Sequence, residues 1–305
     1  MDYSFSATAR ILEIEAGKPI VIMNENEAKK RSIFLNDRVR VSYDGKPVIA
    51  IVDLSQKIPE DEIIFFKEAM ERLGVTGGET VSVELTTKPE SIEYIKKKIA
   101  GKELTGKEVG RIVEDTVNSL LSDPELTAFN IAIAMSDFSL EEAYHLTDSM
   151  VMTGETIDIT NAFDKHSIGG IPGNRTTPLI VPIIAAAGCK IPKTSSRAIS
   201  SPAGTADVME VLAKVEFTAP EIKEMVEKSK ACITWGGTVN LAPADDEFIR
   251  VRKSLGLDPT ELVLSSVLAK KKAVGSDTVL IDIPVGKEAK VRKKKEADKT
   301  AYYFE

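Results

Sequence analysis

Cysteine is nearly missing from this 305-residue chain, which carries only Cys189 and Cys232. The pair forms neither a disulfide framework nor a metal-ligand spacing, which suits a reducing cytosol. Long apolar runs are missing too. The longest, Leu179 to Cys189, contains Pro182 and is far too short to span a bilayer, so no membrane partner is expected. The N-terminal stretch M-D-Y-S-F-S-A-T-A-R lacks a charged n-region and an apolar core; no signal peptide is indicated, and a cytoplasmic location is expected. Positive charge is in deficit, with a formal net charge of -7, which argues against a dedicated nucleic-acid binder. Internal repeats and low-complexity linkers are also absent. What is present is an ordinary globular composition, 43% hydrophobic and 29% charged. The chain is long enough for two or three domains around a large core.

Three textures follow one another. Residues 1–86 alternate apolar and polar positions, as in Arg38–Tyr43 and Val48–Val52 around an Asp44-Gly45 turn, with a last strand over Thr80–Leu85. One helix, roughly Glu60 to Leu73 and stopped by Gly74, interrupts them; a small mixed β-barrel is expected. From Pro89 the chain turns helical. Thr105-Gly-Lys-Glu108 and Ser139-Leu-Glu-Glu142 are capping boxes, and Asp123-Pro124 is an N-cap followed by proline. Four short helices through about Met152, with apolar residues at helical spacing such as Ile112, Val113 and Val117, predict an all-α unit over 88–153, joined by about 245–275. After Gly154 strands and helices alternate, with Thr156–Ile159 and Thr278–Ile283 as strands, predicting a parallel-sheet α/β domain over 155–240 plus 277–305. The expected fold class is therefore α/β, with a β-barrel-like N-terminal domain and a helical domain.

The chemistry is concentrated in Asp164–Thr177, D-K-H-S-I-G-G-I-P-G-N-R-T-T. A glycine-rich turn opening a helix gathers backbone N–H groups and the positive end of the helix dipole around one point. Gly169, Gly170 and Gly173 permit close approach of a ligand to the backbone. Lys165 adds charge, and Ser167, Thr176 and Thr177 add donors for oxyanions. The spacing is neither that of a P-loop nor G-x-G-x-x-G. A second anion-friendly loop runs from Lys193 to Asp207 into a helix at Ala206–Leu212. A third group comprises Leu241–Asp246, Arg250, Arg252, Asp258, Ser266 and Lys270, the last two four apart and so on one helix face. Read by itself, Asp258-Pro259-Thr260-Glu261 is a helix N-cap, and a capping carboxylate with a lowered pKa makes a poor general acid near neutrality. His145 lies on a helix far from these motifs and reads as structural.

Lys165-His-Ser-Ile-Gly-Gly170, Ser195–Glu210 and Leu241–Asp245 with Ser266-x-x-x-Lys270 together resemble the thymidine and pyrimidine nucleoside phosphorylase family. The S-S-R-A-I-S-S-P-A-G-T form of the second loop and the β-rich N-terminal block resemble its archaeal AMP phosphorylase branch. The match runs from the N-terminus to about Val291. The resemblance implies conversion of AMP and phosphate into adenine and ribose 1,5-bisphosphate in nucleotide salvage. It implies no metal and no organic cofactor, with inorganic phosphate as co-substrate. Lys165, Ser167, Thr177, Ser195 and Thr205 match phosphate-binding positions. Gly170, Ser196, Arg197, Ala198, Ile199, Ser200, Ser201, Thr205, Ser266 and Lys290 match positions expected to contact AMP, with Lys270 beside Ser266. Arg252, with Arg250 as the competing choice, is assigned to the base. Asp258 matches the proton donor to the base, and His166 a residue that reaches the base in pyrimidine-specific relatives. Family members continue past this chain's end, so the α/β sheet is expected to be incomplete, to expose an apolar edge and to favour a homo-oligomer. A pyrimidine nucleoside phosphorylase and an impaired binding or assembly module remain the alternatives.

Overall fold

The computed structural model describes residues 4–136, 138–169, 171, 175–197, 203–257 and 259–305. Two compact units are formed, one from Met1–Ile92 with Asn118–Glu125, the other from Glu93–Val117 with Leu126–Glu305.

In the first unit, β1 (Phe5–Ile11), β2 (Ile20–Asn24), β3 (Arg38–Tyr43), β4 (Lys46–Ser55), β5 (Glu62–Phe65) and β6 (Thr80–Leu85) close a barrel in the order β1-β5-β2-β4-β3-β6. The pairs β1/β5 and β2/β4 are parallel and the remainder antiparallel. Strand alternation explains the core. In β6, Val81 and Val83 face inward while Thr80, Ser82 and Glu84 face out. Val21, Val39, Val41 and Phe65 are fully buried with them, each contributing about 1.5–3 kcal/mol. Closure leaves no open sheet edge. Two short helices, α1 (Glu25–Lys30) and α2 (Lys67–Leu73), attach to the barrel, and α2 ends at Gly74 in the left-handed conformation. The stop at Gly74 was legible, but the helix predicted from Glu60 is shorter: Glu62–Phe65 is strand β5, because its isoleucines and Phe65 pair with β1 and β2 in the barrel core. Asn118–Glu125 belongs to this unit, where buried Arg38 donates to the Leu120 carbonyl at 2.5 Å and pairs with Glu125.

The second unit opens with α3 (Ser91–Ile99), α4 (Gly106–Val117), α5 (Asp123–Met135) and α6 (Leu140–Met152). Both predicted capping boxes form: Thr105 and Glu108 exchange bonds, as do Ser139 and Glu142. The α/β part follows, with β7 (Ala162–Ser167), α7 (Thr176–Ala186), β8 (Ile191–Ser195), α8 (Thr205–Glu210), α9 (Ala219–Ser229), β9 (Ala231–Trp235), α10 (Pro243–Lys253), α11 (Thr260–Val274), β10 (Ser276–Asp282) and α12 (Lys294–Phe304). Parallel pairs β10-β7 and β8-β9 are joined by one parallel bridge, Ala162 to Lys190. The predicted strand over Thr156–Ile159 is not one. That segment is irregular, with Ile157 and Ile159 donating to the Ala273 and Val274 carbonyls at the end of α11. The strand begins instead at Ala162 and carries the D-K-H-S motif itself. Helices α10 and α11 pack on α4 and α6 respectively, and the Phe129 and Phe248 rings of α5 and α10 stand 5.6 Å apart.

Two glycines are required by contact. A Cβ at Gly154 would lie 2.2 Å from the Leu241 carbonyl oxygen, and one at Gly275, whose φ is +87°, would lie 2.7 Å from that of Ile159. Exposed apolar side chains gather on α7, at Leu179 and Ile183, and on β10, at Leu280.

Candidate active site

Ligands of open parallel sheets bind at the carboxyl ends of the strands, where the connectivity changes direction. Here that place is β7, because β8 and β9 are added on one side of it and β10 on the other. The first two motifs sit at the ends of β7 and β8.

A buried strand normally reads as apolar; β7 reads A-F-D-K-H-S, with Asp164 and Lys165 both buried. Lys165 is satisfied by Asp282 across the β10 ladder, Nζ to Oδ2 2.9 Å. Asp164 Oδ1 accepts the Lys165 backbone N–H at 2.6 Å and lies 3.6 Å from Lys193 Nζ; Oδ2 lies 2.7 Å from Lys271 Nζ. The Ser167 hydroxyl is buried and has no hydrogen-bond partner among the described residues. A buried orphan donor is costly unless some further group satisfies it. Burial holds the His166 imidazole well below its ordinary pKa, reinforced by the charges of Lys271, Lys193, Lys165 and Lys270. Part of its surface is accessible, and burial with the nearby positive charge favours the neutral imidazole. Lys193 is pulled down to about 7 by burial, with Asp164 opposing and Lys271 and Lys165 adding to the effect.

At the end of β8, the Ser195 hydroxyl accepts the Ala206 N–H at 3.3 Å and donates to the Ser196 carbonyl at 3.0 Å. This brings Ser195 against the first turn of α8, where Thr205 opens the helix and Asp207 reaches back to the Gly204 N–H at 2.8 Å. Thr177 is buried in the first turn of α7. Arg197 is committed elsewhere. Its guanidinium holds Glu210 at 2.5 and 2.8 Å and Glu216 at 3.0 Å, and lies 4.6 Å from the centre of the Trp235 ring.

The third group forms around Asp245. Ser266 Oγ donates to Asp245 Oδ2 at 2.6 Å, and Lys270 Nζ lies 2.7 Å from the same oxygen and 3.3 Å from Asp246 Oδ1. Burial pulls the Lys270 ammonium down, but Asp245 and Asp246 outweigh it and hold it above its ordinary value. The shared helix face predicted for Ser266 and Lys270 is thus occupied by one carboxylate. Arg252 is buried in α10, whereas Arg250 is turned outward to Glu247 at 2.9 Å. The Lys290 N–H donates to the Gly169 carbonyl at 3.4 Å, so Lys290 returns to the first loop. His145 stands against Gly106, 3.7 Å from Glu141 and away from the site.

Gly170, Ala198, Ile199, Ser200, Ser201 and Asp258 lie outside the described residues. The N-cap position of α11 is Pro259, without a side-chain cap bond. Asp164, Lys193 and Asp245 fell inside the predicted motifs without a role of their own, and Lys271 and Asp282 were not singled out from the sequence. Their signal was available: charged residues inside segments that otherwise read as buried strand or helix. Burial pushes the Cys232 thiol up to about 12, so it remains protonated. A cleft of about 530 Å³ lined by Tyr144, Asp148, Asp158, Lys271, Lys272 and Asp277 contains none of the site residues predicted from the sequence. Among the described residues no group of His, Cys, Asp or Glu could hold a metal ion, and no helix is long and apolar enough to cross a membrane.

A helical unit leading into a parallel sheet, with hydroxyl and cationic side chains at the ends of β7 and β8, is the architecture in which the matching family is found. Residues 92–157 match the helical bundle domain of the glycosyl transferase family and residues 159–300 its a/b domain. The chain belongs to this family. Within it, the chain is similar to AMP phosphorylases. It is 45% identical over 300 residues to that of Thermococcus kodakarensis, covering 98% of this chain and 60% of the relative. It is 47% identical over 282 residues to AMP phosphorylase 1 of Archaeoglobus fulgidus, covering 92% and 56%. The chain thus spans less than two thirds of the length of these relatives. In fold it resembles anthranilate phosphoribosyltransferase from Thermus thermophilus, with a TM-score of 0.54 at 22% identity over 62% of this chain and 57% of that one.

Proposed function

We propose that this chain carries the site of an AMP phosphorylase, transferring the ribose 5-phosphate group of AMP from adenine to inorganic phosphate. The observation that carries this reading is the pairing, at the ends of two parallel strands, of Lys165 and a Ser167 hydroxyl unpartnered among the described residues on β7 with Ser195 against the first turn of α8 on β8. Such a site attracts anions and can bind a substrate that bears phosphate together with a phosphate nucleophile. The AMP phosphorylase relatives support adenine as the base.

In the proposed reaction an oxygen of inorganic phosphate attacks C1′ of the ribose as the bond to the base nitrogen breaks, the bond pair leaving with adenine. Asp258 supplies the proton to N7, and the products are adenine and ribose 1,5-bisphosphate. Lys165, Ser167, Thr177, Ser195 and Thr205 cradle the nucleophile. A phosphate dianion competes with Asp282 for the Lys165 ammonium, and Ser167 gains the acceptor it lacks within the described chain. The stretch Ser196–Ser201 contacts AMP, and the Arg197 guanidinium, bound to Glu210 and Glu216, anchors that stretch to α8. Ser266, Lys270, Arg252 and Lys290 complete the nucleotide side. His166, neutral, is suited to a hydrogen bond with the base rather than to ion pairing. Positioning and electrostatic stabilisation carry the acceleration, so the reaction needs no metal or organic cofactor. A cytoplasmic homo-oligomer, dimeric or larger, is proposed on the exposed apolar side chains of α7 and β10.

The test is adenine release from AMP with and without phosphate, with adenosine, CMP and thymidine as competing substrates. Phosphate-dependent release from AMP is expected. Turnover of nucleosides but not monophosphates would favour a pyrimidine nucleoside phosphorylase, and phosphate binding without turnover a binding module.

A further inference from the structure

The strands that carry the two anion loops, β7 and β8, touch through a single bridge among the described residues, Ala162 to Lys190, at their starting ends. Beyond it β7 pairs with β10 and β8 with β9. Among the described residues no ladder fixes the distance between their carboxyl ends, where Lys165 and Ser195 lie. Two ammonium groups, those of Lys193 and Lys271, span that interval, and Lys271 alone brings in a third element. Lys271 follows Lys270 in α11 but points inward and is 2% exposed. Its Nζ donates to Thr194 Oγ1 at 3.0 Å and to the Thr194 carbonyl at 3.2 Å, and pairs with Asp164 Oδ2 at 2.7 Å. Asp164 immediately precedes Lys165 and holds its backbone N–H; Thr194 immediately precedes Ser195.

We propose that Lys271 is a positioning residue that sets the separation of the two anion loops, and through it the geometry in which inorganic phosphate is held. Three donors of one ammonium thus link α11, β7 and β8 at the residues next to the phosphate contacts. Lys193, 3.6 Å from Asp164 Oδ1 and donating to the Thr194 carbonyl, lies in the same wedge, but both its partners are shared with Lys271. Lys193 also belongs to β8, so it cannot bring in the third element.

The inference rests on the phosphate-site reading above, and titration calorimetry with inorganic phosphate separates the two. Lys271→Met is expected to weaken phosphate binding at least about tenfold, and Thr194→Val, which removes a single acceptor, several-fold. Lys271→Arg should recover part of the loss, because it keeps the charge and several donors. In turnover assays the KM for phosphate should rise more than the KM for AMP. Thermal unfolding of each variant is recorded in parallel. If Lys271→Met does not fold, Thr194→Val carries the test. Wild-type protein that fails to bind phosphate would sink the site reading and this inference with it. Wild-type binding with both variants within twofold of it, whether or not their unfolding temperature falls, would overturn the inference alone and leave Lys271 as a structural ion.

Discussion

Lys98 and Glu142 form a buried ion pair in the helical part of the second unit, and replacing Lys98 with methionine tests how much of that unit depends on it. Lys98 Nζ reaches both Glu142 oxygens at 2.9 Å, and both side chains are essentially inaccessible. The same carboxylate accepts the Leu104 N–H at 2.9 Å and the Ser139 N–H at 3.0 Å, so it joins α3, the turn before α4 and the cap of α6. Removing one partner of a buried pair costs about 3–5 kcal/mol, because the other is left as an uncompensated charge. Here the two backbone donors remain on Glu142, which places the loss toward the lower end, about 3 kcal/mol. The contact of Lys98 with the Phe138 ring, 5.0 Å to its centre, adds about 0.5–1 kcal/mol. At ~2–4 °C per kcal/mol for a unit of this size, a total of about 3.5–4 kcal/mol should lower the unfolding temperature by roughly 7–16 °C. The double variant Lys98→Met/Glu142→Gln removes the stranded charge but keeps an acceptor for only one of the two N–H groups, because Leu104 and Ser139 bond different oxygens. It should recover part of the loss. Urea unfolding followed by circular dichroism, with the unit's own transition fitted, gives both numbers. A single-variant loss below about 1 kcal/mol, or a double variant no better than the single, would refute the claim that Glu142 is an uncompensated charge without Lys98.

Three further outcomes are expected. Lys193 titrates at about 7 in the folded chain against an ordinary 10.5, because of its burial; between those values the unfolded chain holds a proton that the folded chain lacks. Stability should therefore rise with pH from about 7 toward 10, and Lys193→Met should flatten that rise and gain most below pH 7, measured as unfolding temperature against pH. Gly154→Ala forces a Cβ to within 2.2 Å of the Leu241 carbonyl oxygen, so a loss on the order of 3 kcal/mol, or failure to accumulate folded protein, is expected in urea unfolding. Arg197→Ala, which removes an exposed clamp already committed to Glu210 and Glu216, should raise the KM for AMP by less than about threefold, since exposed pairs are weak; a hundredfold rise would make the guanidinium a direct substrate contact.

The parts of the fold that were legible in the sequence are those governed by local rules. The capping boxes at Thr105 and Ser139 form as spaced, Gly74 stops α2, and the alternation of Thr80–Leu85 becomes a strand with its valines inward. The failures have one physical cause each. Glu60–Phe65 has helix-compatible spacing, but parallel pairing to β1, distant in sequence, makes its end a strand. Thr156–Ile159 has strand composition, but its N–H groups are taken by the end of α11 rather than by a neighbouring strand. In both, a long-range partner outweighs local preference.

The same distinction explains the site. Lys165, Ser167, Ser195 and Thr205 stand out in sequence because glycine, hydroxyl and cation crowd into short loops, a pattern that a phosphate-binding turn needs locally. Asp164, Lys193 and Lys271 do not, because their meaning is in their mutual distances. Asp164 looks like the polar start of a loop, Lys193 like a strand-end charge, and Lys271 like one of three consecutive lysines on a helix face. Burial changes each of them: a lysine at 2% exposure must have found partners, or folding would have driven it out. Those partners, Asp164 and Thr194, precede the two residues that the loops present to an anion. Charges placed inside a parallel sheet break the apolar pattern of such strands at a cost in stability, and a natural chain keeps such a violation where function requires it. On the proposed reading, buried Lys193 and Lys271 form the inner framework of the anion site, and Lys165, Ser167, Ser195 and Thr205 are the part that meets the ligand.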